Sequence, residues 1–192
     1  MKRIGLFGGS FDPVHVGHLF IARAAIETLG LDRLVFVPAA QSAFKPDRAR
    51  APGVDRARWL RLALAGWTQC EGVTDELARG GVSYTIDTVR EFARRFPGAE
   101  LFWLIGGDHV ITLPQWREAG ALAALVQFAV APRPGREPVG PPPAGFRLRH
   151  LQGPASSVSS SEVRERVRTH LPLTGWVPAA VEEAIRNYPL YL

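Results

Sequence analysis

The sequence is poor in cysteine, in lysine and in long apolar runs, and each shortage excludes a class of protein. The single cysteine, Cys70, cannot form an intrachain disulfide, so a disulfide scaffold and a cysteine-based zinc site are excluded. The longest apolar stretch, residues 120–131, falls short of the roughly 20 residues that cross a bilayer. Met1–Arg3 leads only into a short apolar run, residues 4–7, whereas a secretory signal needs about 7 to 15. We therefore expect a cytoplasmic protein with no membrane partner.

The basic charge of the chain is spread rather than clustered. Lysine and arginine together number 23 against 18 acidic residues, a net charge of +5, and only Lys2 and Lys45 are lysine. A basic balance suits anionic partners, but no run of five or six basic residues marks a nucleic-acid tail. We expect a solvated surface without a nucleic-acid partner, and a basic nucleic-acid-binding module stays a distant alternative.

Short β-rich apolar runs alternate with amphipathic segments through most of the 192 residues, 46% of which are hydrophobic. Runs that are apolar without alternation are typical of strands buried on both faces of a parallel sheet. Strands are predicted at residues 3–7, 33–37, 101–105, 126–131 and 147–151, and helices at 16–29, 55–67, 85–96, 161–168 and 178–187. The order predicts an α/β fold, a doubly wound Rossmann-like parallel sheet whose ligand site lies beyond the carboxyl ends of its strands.

One segment breaks this alternation. Residues 132–146 hold six of the 16 prolines and three glycines, which predicts an exposed irregular loop, with a lid as the alternative. No linker separates two independently apolar halves and no internal repeat is present. Residues 1–192 are therefore expected to form a single domain.

The chemistry begins where the first predicted strand runs into Gly8, Gly9 and then a helix. Glycines let the backbone approach a ligand without a Cβ, and a helix start aims N–H groups and its positive dipole end at the same place. His15 and His18 are three residues apart, so their imidazoles share one face, with Gly17 keeping the space between them open. The segment therefore predicts an anion cradle in which each histidine donates to phosphate oxygens.

Other interpretations of this segment fit less well. It matches neither GxGxxG nor GxxxxGK[ST], which excludes a dinucleotide-binding or P-loop motif. A zinc site on His15 and His18 lacks a third protein ligand, so no resident metal is predicted. Two solvent-facing helical histidines remain the alternative for the pair taken alone.

At this point the sequence resembles a known family. The segment GGSFDPVHVGH, residues 8–18, is similar to the nucleotidylyltransferases marked by HxGH or TxGH at the start of the first helix. The rest of the chain resembles the nicotinate-nucleotide adenylyltransferases through motifs that follow in family order over nearly the whole length. They are Lys45, SYTIDT (83–88), IGGD (105–108) with Leu113 and Trp116, VSSSEVR (158–164), and finally Val177, Pro178 and Tyr188.

The resemblance implies a nucleotidylyltransferase-type fold and adenylyl transfer from ATP to nicotinate mononucleotide in NAD biosynthesis. The products would be deamido-NAD and pyrophosphate, and Mg²⁺ would accompany ATP. Phosphoryl-type transfer asks the protein mainly to position reactants and neutralise charge, so no covalent nucleophile is needed. The resemblance implies that the catalytic residues are His15, His18 and Lys45. It implies that ATP is bound by Gly8, Gly9, Ser10, Phe11, His15, His18, Gly106, Asp108, Ser160, Ser161 and Arg164. It implies that the mononucleotide is bound by Lys45, Tyr84, Thr85 and Trp116.

On the phosphate side, Ser160, Ser161 and Arg164 fall at a predicted helix start. The resemblance implies that they grip the β and γ phosphates, with the hydroxyls also capping the helix and the guanidinium forking onto oxygens. Simple capping is the alternative for the serines. Asp108 follows two glycines at a strand end, where an aspartate bonds ribose hydroxyls or caps the next helix. Leu113 and Phe102 are assigned to the core.

On the mononucleotide side, Thr85 begins a predicted helix whose backbone N–H groups would receive the nicotinate carboxylate. Trp116 would stack on the pyridine ring, with a core position as its alternative. Lys45 would make a point contact with phosphate, with a solvated loop lysine as its alternative. Relatives often carry Pro-Pro-His before this lysine, where this chain has residues 42–44, Ser-Ala-Phe.

The nearest rival is the same reaction on nicotinamide mononucleotide, by an enzyme that shares the fold and both phosphate motifs. The SYTIDT string at residues 83–88 argues for the nicotinate enzyme. Another HxGH nucleotidylyltransferase is the wider alternative. A monomer and a homo-oligomer both stay open.

Overall fold

The computed structural model of the protein describes residues 1–43, 51–132, 141–153, 156–187 and 191. These residues form strands and helices in close alternation, the pattern expected of an α/β fold. The strands are β1 Arg3–Gly9, β2 Arg33–Pro38, β3 Gln41–Ser42, β4 Cys70–Gly72, β5 Val82–Ser83, β6 Glu100–Gly106, β7 Gln127–Ala131 and β8 Leu148–His150. The α-helices are α1 Val16–Leu29, α2 Gly53–Ala63, α3 Asp75–Arg79, α4 Thr85–Arg95, α5 Ala119–Leu125, α6 Ser160–Arg168 and α7 Ala179–Arg186, and a 3-10 helix spans Gly107–Gln115.

Six strands form the central sheet in the order β4-β2-β1-β6-β7-β8, and every neighbouring pair is parallel. The chain winds from β1 outward to β2 and β4, then crosses to β6 on the other side of β1 and winds outward again. The predicted doubly wound parallel sheet is confirmed. Its winding reverses between β1 and β6, which is where ligands bind in open sheets of this kind. The short strands β3 and β5 pair separately.

Two apolar layers hold the helices on opposite faces of the sheet. One contains buried residues of α1, α2, α6 and α7, such as Trp59, packed against strand residues such as Phe102 of β6. The other contains buried residues of α4, α5 and the 3-10 helix, among them Phe92 and Leu113. Phe102 and Leu113 are fully buried, as predicted. The central strands are covered on both faces, which explains why their sequences are apolar without alternation.

The predicted bounds of the long elements agree closely with the structure, and α1 begins and ends at the predicted residues. Helix α2 stops at Ala63 rather than at residue 67, because Gly66 adopts a φ of +84° that a helix cannot continue through. Residues 120–131 divide into α5 and β7. Among the described elements, six short ones carried no prediction, namely β3, β4, α3, β5, the 3-10 helix and α5.

The proline-rich segment is described only at residue 132 and over residues 141–146, which contain no helix or strand. Phe146 packs edge-on against Phe128 of β7 at a ring distance of 5.7 Å. Residues 133–140, and with them most of the predicted loop, lie outside the described residues. Within the described part of the chain, no helix is long and apolar enough to cross a membrane.

Candidate active site

An open cavity of about 610 Å³ lies at the carboxyl ends of β1 and β6, on the two sides of the reversal in winding. That volume is in the range of sites for small ligands. Of the residues proposed from the sequence, the cavity is lined by Gly8, Gly9, Ser10, Phe11, His15, His18, Thr85, Gly106, Trp116, Ser160, Ser161 and Arg164. The fold thus brings segments that are about 150 residues apart to one surface.

The two glycines that end β1 lie against aromatic rings. A Cβ on Gly8 would lie 2.5 Å from the Trp103 ring, and one on Gly9 would lie 3.1 Å from the Phe11 ring. Their missing side chains therefore make room for neighbouring aromatic rings. Both glycines also line the cavity, and the close approach of a ligand to their backbone stays a prediction.

The two histidines meet face to face, with ring centroids 3.7 Å apart and planes tilted by 34°. His15 is extended and caps α1 from outside, while His18 lies inside the first turn. The His15 backbone N–H donates to Nδ1 of His18 at 3.1 Å. A neutral imidazole that accepts at Nδ1 carries its proton on Nε2, so His18 has its Nε2–H as a donor. A Cβ on Gly17 would press on the His15 ring at 3.0 Å, so glycine here keeps the pair in place.

The start of α1 is less open to a ligand than its position in the sequence indicated. The Val16 N–H donates to the Trp176 carbonyl at 3.0 Å, and the His18 N–H donates to the His15 carbonyl at 2.9 Å. Two of the first N–H groups are therefore occupied within the protein. Donors toward a ligand at this end must come mainly from the histidine side chains.

Burial keeps both histidines neutral at pH 7. Desolvation lowers the pKa of His15 to about 4, although the nearby Glu162 carboxylate opposes this shift. Desolvation lowers the pKa of His18 well below its usual 6.5, and the neighbouring His15 lowers it further. Nδ1 of His15 is buried without a hydrogen-bond partner among the described residues, and the residue is only 7% exposed. A buried polar atom without a partner is costly, so this atom points to a ligand as its partner.

We expect the unliganded protein to lose stability as the pH falls from about 6.5 toward 4. A histidine whose folded pKa is lowered takes up its proton first in the unfolded chain, so its contribution to stability is complete above pH 6.5 and declines below it. The shift at His15 corresponds to about 2 kcal/mol by pH 5. Denaturant unfolding at pH 7.5 and 5.0 measures it. Between these two pH values, the free energy of unfolding of His15→Asn should fall by about 2 kcal/mol less than that of wild type. His150→Asn, which changes an exposed histidine, should lose as much stability as wild type. Equal losses in all three proteins would contradict the assignment.

Asp12 organises the end of the cavity that is formed by residues 8–18 and α6. Its carboxylate is buried and accepts the Ala51 N–H at 3.0 Å and the Tyr191 hydroxyl at 2.7 Å. The Arg164 guanidinium lies 3.7 Å from the same carboxylate and donates to the Asp12 carbonyl at 2.6 Å. Arg56, also buried, donates to the Ser10 carbonyl at 2.7 Å. Residues 10–12 are therefore fixed by two arginines and one tyrosine.

The serine cluster at α6 differs in detail from its prediction. The Ser159 hydroxyl caps the helix by accepting the Glu162 N–H, and the Glu162 carboxylate accepts the Ser159 N–H. The two hydrogen bonds form a complete capping box. The expectation that Ser160 and Ser161 cap the helix is wrong, because α6 begins one residue earlier than predicted. Ser160 instead donates to the Pro13 carbonyl at 2.9 Å, and Ser161 accepts from Arg164 at 3.1 Å. Ser160 therefore joins α6 directly to the segment after β1, whereas Ser161 contacts Arg164 within α6, and Arg164 in turn donates to the Asp12 carbonyl.

The other end of the cavity is formed by α4 and the 3-10 helix. Helix α4 begins at Thr85, as predicted, with Tyr84 in an extended conformation before it. Trp116 lines the cavity and packs edge-on against the core residue Phe128 at 6.0 Å, and its indole N–H donates to Thr112 at 3.3 Å. Trp116 is thus partly buried against the core and also lines the cavity, while its stacking on a pyridine ring stays a prediction.

Among the described residues, two of the proposed site residues, Asp108 and Tyr84, do not line the cavity. Lys45 lies outside the described residues. Asp108 is exposed in the first turn of the 3-10 helix, and the N-cap of that helix is Gly106, so Asp108 does not occupy the cap position that was one of its two alternatives. Tyr84 contacts Arg117 through a cation–π interaction at 4.5 Å.

The cavity also contains residues that carried no prediction, above all Asp12, Glu76 and His109. His109 packs against Trp116 at 6.1 Å. Asp12 lies within the GGSFDPVHVGH segment, so its position was a usable signal. Glu76 lies in a five-residue helix without apolar periodicity and gave no signal. Among the described residues, no group of three or more histidine, cysteine, aspartate or glutamate side chains is placed to hold a metal.

Comparison with known proteins agrees with this geometry. A family model described as cytidylyltransferase-like matches residues 6–166. The chain is 45% identical to a probable nicotinate-nucleotide adenylyltransferase of Opitutus terrae, over 98% of this chain and 97% of that one. It is 41% identical to a protein of the same description from Shouchella clausii, over 100% and 97%.

Solved structures resemble the chain in fold at lower identity. One is the Plasmodium falciparum nicotinic acid mononucleotide adenylyltransferase complexed with NaAD, with a TM-score of 0.79 and 18% identity. The match covers 100% of this chain and 98% of that one. At this identity the likeness supports the fold.

Proposed function

Because the chain belongs to the cytidylyltransferase-like family, and within it to the nicotinate-nucleotide adenylyltransferases, we propose that it transfers the adenylyl group of ATP to nicotinate mononucleotide. The products are deamido-NAD and pyrophosphate, and the reaction belongs to NAD biosynthesis. The observation that carries the proposal is the cavity itself, which holds the histidine pair and Arg164 at one end and Thr85 and Trp116 at the other.

The reaction joins two phosphates. An oxygen of the mononucleotide phosphate attacks the α-phosphorus of ATP, the new P–O bond forms, and the bond to the bridging oxygen breaks so that pyrophosphate leaves. Charge grows on the leaving group, and preorganised donors at that point stabilise the transition state. We assign that role to the Nε2–H of His18, with His15 beside it.

The remaining donors at this end bind ATP. We propose that Arg164 forks onto the β and γ phosphates, since its position is fixed by Asp12 and Ser161. Ser160, Ser161 and the backbone from Gly8 to Phe11 complete the phosphate site, and Gly106 and Asp108 lie on the side proposed for the ribose. Mg²⁺ arrives as the complex with ATP and screens the phosphate charge.

The mononucleotide occupies the opposite end. The start of α4 at Thr85, next to Tyr84, presents main-chain N–H groups and the positive end of the helix dipole to the nicotinate carboxylate. Trp116 stacks on the pyridine ring, and Lys45 contacts phosphate. The cytoplasm is the proposed location, since ATP is the co-substrate and the single Cys70 needs no oxidising compartment.

The direct test measures pyrophosphate release from ATP in the presence of Mg²⁺ with purified protein. Nicotinate mononucleotide, nicotinamide mononucleotide and no acceptor are compared, and the dinucleotide product is identified by mass. We expect release that depends on the nicotinate acceptor. Release with the nicotinamide acceptor alone would favour the rival enzyme, and release with neither acceptor would overturn adenylyl transfer to pyridine nucleotides.

Replacing Trp116 by alanine should raise the KM for nicotinate mononucleotide and leave the KM for ATP nearly unchanged. A stacking contact between a base and an aromatic side chain is worth about 1 to 3 kcal/mol, which corresponds to about a 5- to 150-fold rise. Trp116→Phe keeps a stacking surface and should recover most of the loss. Steady-state kinetics in each substrate measures both constants. A fall in Tm with no selective change in KM would assign Trp116 to the core alone.

A further inference from the structure

A buried carboxyl group lines the cavity and has no part in the reaction proposed above. Glu76, on the short helix α3, is 4% exposed and lies on the same surface as Thr85. Burial raises the pKa of Glu76 above its usual range, although hydrogen bonds from Thr88 and Ser83 oppose the shift. A carboxyl group held in such a place needs partners that repay its desolvation.

Its partners lie on either side of the helix start proposed to receive the nicotinate carboxylate. The Thr88 hydroxyl, in the first turn of α4, donates to Glu76 at 2.5 Å. Ser83, two residues before Thr85, also hydrogen-bonds to Glu76 and accepts the Ala40 N–H at 3.0 Å. One carboxyl group therefore joins α3 to the residues before and after Thr85, and through Ser83 to the segment that follows β2.

A second contact fixes α3 against the same helix. Asp75, the residue before Glu76, forms an ion pair with Arg95 at the far end of α4. That pair is at the surface, where ion pairs contribute little, whereas the Glu76 contacts are buried. Because the Glu76 contacts are buried, they restrain α4 mainly at its N-terminal turn, next to the cavity.

We infer that Glu76 is a positioning residue for the pyridine mononucleotide, which fixes the first turn of α4 so that its N–H groups meet the nicotinate carboxylate. The inference rests on the proposed function, because it needs that carboxylate to bind at Thr85. Glu76 acts through Thr88 and Ser83 and does not touch the phosphate end, which is formed by residues 8–18 and α6. The loss of Glu76 should therefore raise the KM for nicotinate mononucleotide and leave the KM for ATP unchanged.

The test is steady-state kinetics with varied nicotinate mononucleotide and varied ATP on wild type and four variants. Glu76→Gln keeps the size of the side chain but replaces one accepting oxygen by a donating NH₂ group, so the Thr88 and Ser83 hydroxyls can no longer each donate to a carboxylate oxygen. Thr88→Val keeps the volume but removes the hydroxyl. Both should raise the KM for the mononucleotide about tenfold and change the KM for ATP less than about twofold. Thr88→Ser retains the hydroxyl and should behave as wild type. Glu71→Gln, whose carboxylate forms an exposed pair with Arg33 outside the cavity, is the matched control and should also behave as wild type.

Each result decides the matter. An unchanged mononucleotide KM in Glu76→Gln, or equal rises in both KM values, overturns the positioning role while wild-type activity upholds the enzyme. Wild-type protein that releases no pyrophosphate with nicotinate mononucleotide overturns the proposed function and this inference with it. If Glu76→Gln does not fold, the Thr88→Val and Thr88→Ser pair decides alone, because a packing role would not distinguish the hydroxyl.

Discussion

Replacing His18 by alanine is expected to lower kcat about 100-fold or more while the protein stays folded. A preorganised donor to developing charge is worth about 3 kcal/mol in comparable sites, and removing it affects the transition state more than the bound substrates. In this structure the donor is well defined, since the His15 N–H occupies Nδ1 of His18 and leaves the proton on Nε2. Single-turnover and steady-state rates at saturating substrate measure the loss.

The control must separate chemistry from helix capping. Removing the imidazole also removes the acceptor of the His15 N–H, so Tm is measured beside kcat. His150→Ala removes an exposed imidazole from β8, away from the cavity, and should retain wild-type kcat. A His18→Ala protein with wild-type kcat at saturating ATP and Mg²⁺ would remove His18 from the mechanism.

The second large effect concerns the choice between a substrate with a carboxylate on its pyridine ring and one with an amide. We expect kcat/KM to be about 100-fold or more higher for nicotinate mononucleotide than for nicotinamide mononucleotide. A carboxylate only accepts hydrogen bonds, whereas the amide carries an NH₂ that must donate. At the start of α4 the amide would face N–H groups and lose its attraction to the helix dipole. An unpaired buried polar group costs about 1 to 3 kcal/mol, and the lost charge interaction adds to it. Specificity constants within tenfold of each other would contradict assignment to the nicotinate enzyme and leave adenylyl transfer standing.

A matched pair of substitutions at one residue tests the source of that preference. Thr85 is the first residue of α4, a position where proline is compatible with the helix, and Tyr84 before it is already extended. Thr85→Pro therefore removes one main-chain N–H with little change of backbone, while Thr85→Ala removes only the side chain. We expect the proline variant to reduce the acid preference about tenfold and the alanine variant to change it much less. Equal effects would assign the preference to the side chain.

The sequence predicted the long elements and the main site segments because their signals are local. Apolar runs and helical spacing predict β1, α1 and β6 directly. The HxGH segment and the start of α6 are marked by short sequence motifs, and both lie at the cavity beside the carboxyl ends of the strands. The capping box at residues 159–162 was also visible as Ser-x-x-Glu, a pattern that would have corrected the start of α6.

What escaped prediction depends on contacts between distant residues. Asp12 is fixed by Ala51, Arg164 and Tyr191, and nothing near Asp12 in the sequence indicates those partners. Glu76 belongs to a helix of five residues, too short for periodicity to mark it. The contact of Gly8 with the Trp103 ring could not be predicted either, because Trp103 is about a hundred residues away in the sequence and local patterns do not reveal such a contact.

The bonds of Asp12 also bear on the order in which the ribosome makes the chain. Asp12 is synthesised long before its partners, because Tyr191, which donates to the Asp12 carboxylate, follows 179 residues later and Arg164 follows 152 residues later. Until both have been synthesised, Asp12 lacks two of its donors and the phosphate end of the cavity lacks its guanidinium. This end of the cavity is therefore completed only after the later of these two residues has been synthesised. An interrupted translation product would carry the histidine motif intact and still lack the groups that fix it.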